Sequence, residues 1–186
     1  MRKTIYKWIF FRILGWKIEG EVAKEIHKCV FIVIPHTSWY DFFIGLFVRG
    51  ILNIEINFVG KKELFVFPLN YYFKSIGGAP LDRSGNKNLV DSIVEIFNQR
   101  KTFRLAIAPE GTRKKVETLR TGFYYVALKA QVPIIPVAFD FEKKTVSIAT
   151  PFYPTGNIEE DFKVLLKPFQ GVMGKHKAQS FVVKEN

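Results

Sequence analysis

The chain is 186 residues long, 48% hydrophobic and 16% aromatic, enough material for one domain with a real core. Its 28 Lys and Arg against 17 Asp and Glu leave a formal charge of +11, so the folded surface draws anionic partners such as nucleic acid, lipid headgroups or an acidic carrier protein. The single cysteine, Cys29, excludes an intramolecular disulfide framework and a cysteine-based zinc site and fits a reducing, cytoplasmic setting, while 19 Phe and a mean hydropathy slightly above zero tilt the partner toward lipid.

Residues 5–16 are apolar but broken by Lys7 and Arg12, and a bilayer span needs about 20 largely uncharged residues, so this segment does not cross a membrane. It also lacks the small-residue cleavage site of a signal peptide. Trp8 and Trp16 with Arg2, Lys3, Lys7, Arg12 and Lys17 describe a helix with two readings. It lies in a headgroup layer, rings inward and cations on phosphate, or it packs on its own domain.

Beyond it there is no repeat, low-complexity tract or linker, and apolar runs alternate with amphipathic stretches, the pattern of an α/β fold. Short apolar runs predict strands at 29–34, 54–59, 103–107, 134–139 and 145–149, the kind that are buried in parallel sheets. Helices are expected at 38–49, 61–73 with a break at Pro68, 88–99, 119–130 and 158–167. The tail after Gly171 reads as weakly ordered. Cys29 opens the first strand and reads as a small buried hydrophobe rather than a nucleophile.

The first strand runs into Pro35-His36-Thr37-Ser38-Trp39-Tyr40-Asp41, so His36 sits at a strand end, where open α/β sheets bind ligands. Ser38 and Asp41 make a capping-box-like helix start. In that geometry the Asp41 carboxylate can fix one ring nitrogen of His36 while the other faces a pocket as a base, two thirds of a Ser-His-Asp triad with the hydroxyl left to the substrate. The competing reading is a cap with His36 merely adjacent. The strand at 103–107 leads into Pro109-Glu110-Gly111-Thr112-Arg113, a second strand end, within a stretch from Arg100 to Lys129 that has eight basic residues and two acids. A phosphate site or a tight turn with a solvated basic run both fit. Residues 76–85 place Gly77, Asp82 and Arg83 in another turn, where Arg83 can hold a phosphate in two-pronged fashion or be an ordinary surface residue. Residues 132–137 read as a buried strand or the wall of an apolar slot. His27 and His176 show no partner pattern.

In order, His36 to Asp41 with its HX4D spacing, Gly77 to Arg83, Pro109 to Arg113 and Val132 to Pro136 resemble the four blocks of the glycerolipid acyltransferase family, best known through 1-acylglycerol-3-phosphate (lysophosphatidic acid) acyltransferases. The resemblance covers residues 30–140. It implies a single α/β domain with a mostly parallel central sheet flanked by helices, as in glycerol-3-phosphate acyltransferases. Residues 1–20 would be the amphipathic membrane-surface region and 21–186 the acyltransferase domain, peripheral on the cytoplasmic face of an anionic membrane.

The implied roles are general base for His36 and orienting partner for Asp41, acceptor binding for Gly77, Asp82 and Arg83, and phosphate binding and pocket shaping for Glu110, Gly111, Thr112 and Arg113. The implied donor is an acyl-CoA or acyl carrier protein thioester, the acceptor a lysophospholipid hydroxyl, with no metal and no further cofactor. Pro80 and Arg120 depart from the usual pattern, where an aliphatic or aromatic residue and a lysine are common. A lyso-aminolipid acceptor is the alternative within the enzyme class, and a non-catalytic basic membrane module the alternative outside it. No RNA-binding or helix-turn-helix signature points to nucleic acid.

Overall fold

The computed structural model describes residues 2–81 and 88–183. In chain order the elements are α1 (Arg2–Lys7), continued by a π-helical turn at Trp8–Ile13, then β1 (Lys17–Glu19), β2 (Lys28–Ile34), α2 (Tyr40–Leu52), β3 (Phe58–Lys61), α3 (Leu69–Ser75) and β4 (Gly78–Leu81). They continue with α4 (Leu89–Gln99), β5 (Phe103–Ile107), α5 (Gly122–Ala130), β6 (Ile134–Asp140), β7 (Thr145–Ile148) and α6 (Ile158–Leu165).

Five strands form one sheet in the order β1-β7-β6-β2-β5, with every pairing parallel except β6 to β7. The reversal there is set by Asp140, whose Oδ1 accepts the N–H groups of Glu142 and Lys143 at 3.0 Å each. β2 lies between β5 and β6 and is covered on both faces, which is why it reads as an unbroken apolar run. Val30, Ile32 and Ile34 point to the face packed by α4, α5 and α6, while Cys29 and Phe31 point to the face packed by α1 and α2. The mostly parallel α/β architecture expected from the sequence is the one observed.

The N-terminal segment packs on its own domain along one side. Phe10 is fully buried, Trp16 stands edge-on to Phe141 at 4.9 Å, and the Tyr6 ring lies on Gly50, where a Cβ would collide with it. Its other side leaves Ile5, Trp8 and Ile13 more than half exposed. No helix among the described residues is long and apolar enough to cross a membrane.

Several expectations need correction. The strand predicted at 54–59 shortens and shifts to β3, because Asn57 ties that stretch to β5 at a single bridge opposite Leu105, and its Oδ1 takes the Arg104 N–H at 3.2 Å. Beyond Asn57 the chain leaves the main sheet and pairs with β4, a strand not foreseen in the glycine-rich segment. The helix expected from 119 begins only at Gly122, since the Arg120 N–H donates to the Pro109 carbonyl at 2.9 Å and draws residues 119–121 into the preceding loop. The break at Pro68 is present, between a 3-10 turn at Lys62–Phe65 and α3. The tail is the largest departure. Gly174, Ser180 and Phe181 are buried, and Phe181 joins the core beneath α4 and α5.

Candidate active site

β2 and β5 are parallel neighbours in a register that pairs Ile32 with Ile107, so both chains leave the sheet at the same edge. Three and four residues on, Glu110 and His36 meet: the His36 N–H donates to Glu110 Oε2 at 2.6 Å. Glu110 is 3% exposed, and burial pushes its carboxyl up to about 7 against the opposing pull of the His36 and Phe181 N–H groups. A buried carboxyl thus fastens the backbone of one loop to the other.

The His36 side chain, 26% exposed, places Nδ1 3.0 Å from Oδ2 of Asp41, whose side chain is almost wholly buried. The same oxygen accepts the Ser38 N–H at 3.0 Å, one half of the expected capping box. The Ser38 hydroxyl accepts from the Tyr40 N–H instead of reaching residue 41, so α2 starts at Tyr40 rather than at 38. Asp41 Oδ1 is buried with no hydrogen-bond partner among the described residues. With Nδ1 committed to Asp41, Nε2 is the nitrogen left for chemistry.

His36, Asp41 and Arg113 together border a cavity of about 460 Å³, within the roughly 300–1,000 Å³ usual for small-molecule sites. It passes between α2, through Gly45, Val48 and Leu52, and the sheet, through Phe31, Val33 and Val137, and reaches Ile148 on β7. Gly45 leaves the helix face open, for a Cβ there would meet nothing within 4 Å. Arg49, on the same helix, also borders the cavity and donates through Nη1 to the Ile76 carbonyl at 2.6 Å.

The remaining sequence candidates divide. Gly111, at φ +65°, lies under the Arg120 side chain, whose Nε would be 2.6 Å from a Cβ, so the loop tolerates only glycine there without rearrangement. Thr112 accepts the Lys114 N–H at 3.3 Å and turns the loop rather than bordering the cavity. Gly77, at φ +94°, sits against the Ile56 carbonyl, and its neighbour Ile76 is the residue that reaches the cavity. Asp82 and Arg83 lie outside the described residues. Of residues 132–137, Val137 borders the cavity, whereas Val132 and Ile134 belong to the core on the opposite face. Sequence reasoning missed Gly45 and Arg49. An isolated glycine inside an apolar helix was the available signal for the first, and nothing in the pattern marks the second.

The Acyltransferase family model matches residues 16–140, which include the two strand-end loops and every cavity-lining residue but Ile148. The chain belongs to the acyltransferase family. Over 144 residues it is 32% identical to the 1-acyl-sn-glycerol-3-phosphate acyltransferase of Escherichia coli (strain K12), spanning 73% of this chain and 58% of that protein. The protein of the same name from Cocos nucifera is 29% identical over 133 residues, spanning 67% of this chain and 42% of the relative. The chain therefore spans about half the length of these curated relatives. In fold it is similar to the crystal structure of the 1-acyl-sn-glycerophosphate (LPA) acyltransferase PlsC from Thermotoga maritima, with a TM-score of 0.57 at 21% identity, covering 90% of this chain and 74% of that one.

Proposed function

We propose that this acyltransferase-family chain moves a fatty acyl group from a coenzyme A or acyl carrier protein thioester to the hydroxyl of lysophosphatidic acid. The observation that carries the reading is the His36–Asp41 pair standing with Arg113 at one apolar cavity. The acyl chain lies in the cavity under α2, which brings the thioester carbonyl to His36. The acceptor binds beside it with its phosphate toward Arg113, the exposed arginine of the site.

His36 Nε2 takes the hydroxyl proton as the oxygen attacks the thioester carbon, and Asp41 stabilises the imidazolium that results. The tetrahedral oxyanion collapses, the C–S bond breaks, and the departing thiolate takes the proton from His36. Every proton and electron pair is then accounted for by donor, acceptor and His36, without a metal or further cofactor.

The same reading places the chain peripherally on the cytoplasmic face of an anionic membrane. The support is the exposed Ile5, Trp8 and Ile13 on a segment that also carries Lys3, Lys7 and Arg12, and the exposed rings of Trp39, Phe42 and Phe43 beside the His36 loop.

The decisive experiment offers radiolabelled acyl-CoA and acyl carrier protein with lysophosphatidic acid to the wild type and His36→Ala. Product from the wild type alone is expected. Equal product from both removes His36 from the chemistry, and turnover that favours an acceptor without phosphate moves the reading to a lyso-aminolipid or another hydroxylated lipid.

A further inference from the structure

The family match ends at residue 140 and the four motif segments at residue 136, yet the chain returns to the His36 loop much later. Gly174 packs directly on the loop, where a Cβ would fall 2.6 Å from Thr37 Oγ1 and 3.3 Å from Pro35 Cβ. The His176 N–H donates to Thr37 Oγ1 at 3.2 Å. A short 3-10 turn, Lys177–Gln179, follows, and Ser180 closes it by accepting the Gly174 N–H at 2.9 Å. The Phe181 N–H then meets the Glu110 carboxyl, the group that also holds the His36 N–H. With its nitrogen turned inward, the Gln179 carboxamide donates to two backbone carbonyls at once, Thr37 at 3.3 Å and Arg113 at 2.8 Å. The orientation is assigned from these neighbours, since turned the other way its oxygen would face only acceptors.

These contacts have a common target. Thr37 follows His36 directly, and Arg113 lies three residues beyond Glu110 in the same loop. No backbone hydrogen bond of the sheet joins residues 35–37 to residues 111–113, because both segments have already left their strands. Glu110 joins the two loops at one end and Gln179 at the other. We propose that residues 174–181 are a strap that holds the reacting base and the cationic anchor in mutual register, with Gln179 as the positioning residue that couples the His36 loop to Arg113.

The strap meets the two loops through backbone groups, the Thr37 hydroxyl and the Glu110 carboxyl, and none of its residues borders the cavity, so it acts through His36 and Arg113 and does not meet substrate. It sits on the proposed acyl transfer as a refinement, yet its structural content stands apart from that chemistry. Lys175, with Nζ 3.2 Å from the centroid of the Tyr40 ring, and Lys177, paired with Glu142 at 2.8 Å, secure the outer side of the same segment.

Gln179→Glu tests the coupling at constant size, replacing both N–H donors with an oxygen that faces the two carbonyls. Two measurements keep the strap and the reaction separate. In transfer assays on folded protein, the variant is expected to lose about tenfold or more in kcat/KM, with the acceptor KM raised and the donor KM unchanged. Lys163→Ala, in an exposed ion pair on α6 away from the strap, stays within about twofold of wild type. A merely structural role would lower the yield of active protein and leave both KM values alone, and that outcome overturns the proposal.

The second measurement needs no turnover. Amide hydrogen exchange at His36 is expected to accelerate at least tenfold in Gln179→Glu while Phe31, inside β2, keeps its wild-type rate. Unchanged exchange at His36 overturns the strap whether or not acyl transfer is found, and absence of product from the wild type with accelerated exchange overturns only the choice of reaction. Gln179→Ala, which removes the donors without adding a charge, gives the same two readouts if the glutamate variant does not fold.

Discussion

Replacing Asp41 by Asn separates what the site does from what holds it together. An imidazolium at His36 lies 3.0 Å from Oδ2. At an effective dielectric constant of about 20 that pair attracts by about 5 kcal/mol, less some screening because the ring is partly exposed. The amide removes this attraction: with its oxygen in the place of Oδ2 it still accepts the Nδ1 hydrogen, but as a neutral partner that stabilises the imidazolium far less. A loss of about 3–5 kcal/mol of transition-state stabilisation corresponds to a fall of 10²–10⁴ in kcat.

Stability is expected to move little. Asp41 Oδ1 is a buried oxygen without a partner among the described residues, a cost of about 1–3 kcal/mol that the amide nitrogen in its place inherits without the carboxylate's charge. The amide still accepts the Ser38 N–H through its oxygen, so the opposing terms leave a net change of about 1 kcal/mol or less and a Tm within about 4 °C of wild type. The assay follows free thiol released from an acyl thioester in the presence of lysophosphatidic acid, beside a thermal melt of the same sample. Retention of kcat within threefold would refute the role given to Asp41, and a melt lowered by more than 10 °C would refute the stability argument.

Gly45→Leu puts a side chain into open space at the cavity wall. Transfer of long acyl chains is expected to fall at least tenfold relative to short ones, with a Tm equal to or above wild type because a helix-interior glycine is also removed; an unchanged chain-length profile in a thioester panel contradicts the slot. Glu110 gives a pH signature. Its folded pKa, about 7, lies above the ordinary carboxyl value, so the folded state holds the proton longer. The stabilisation is full below about 4.5 and is lost as pH rises through about 7. Melts between pH 5 and pH 8 should therefore fall by several degrees in the wild type and less in Glu110→Gln, and parallel curves for the two proteins would remove Glu110 as the source.

Much of this was legible because it depends on local chemistry. β2, β5 and β6 announce themselves as short apolar runs bounded by loops, and His36, Ser38 and Asp41 interact within six residues of one another. The meeting of Glu110 with His36 follows once those strands are taken as parallel neighbours. What stayed hidden is set by distant partners. Asn57 looks like one more polar residue until Arg104 is opposite it, and then it ends a strand. The stretch 174–181 has little hydrophobic periodicity, and its order comes from single atoms meeting Thr37, Glu110 and Arg113. Arg49 carries no motif, and only the packing of α2 brings it to the cavity.

The pairing of β1 with β7 sets the order in which the molecule can be completed. Lys17 aligns with Thr145 and Glu19 with Ser147, 128 positions further on, and Trp16 packs on Phe141. Residues 2–19 are therefore translated long before the surface that receives them exists, and closing so long a loop is slow. Until β7 arrives, Phe10, Trp16 and the exposed tryptophan of the same segment form one sticky, cationic amphipathic unit on the nascent chain. Losing the segment after folding has the mirror consequence: β7 becomes a bare sheet edge, and a chain trimmed to beyond Glu19 is expected to associate edge to edge.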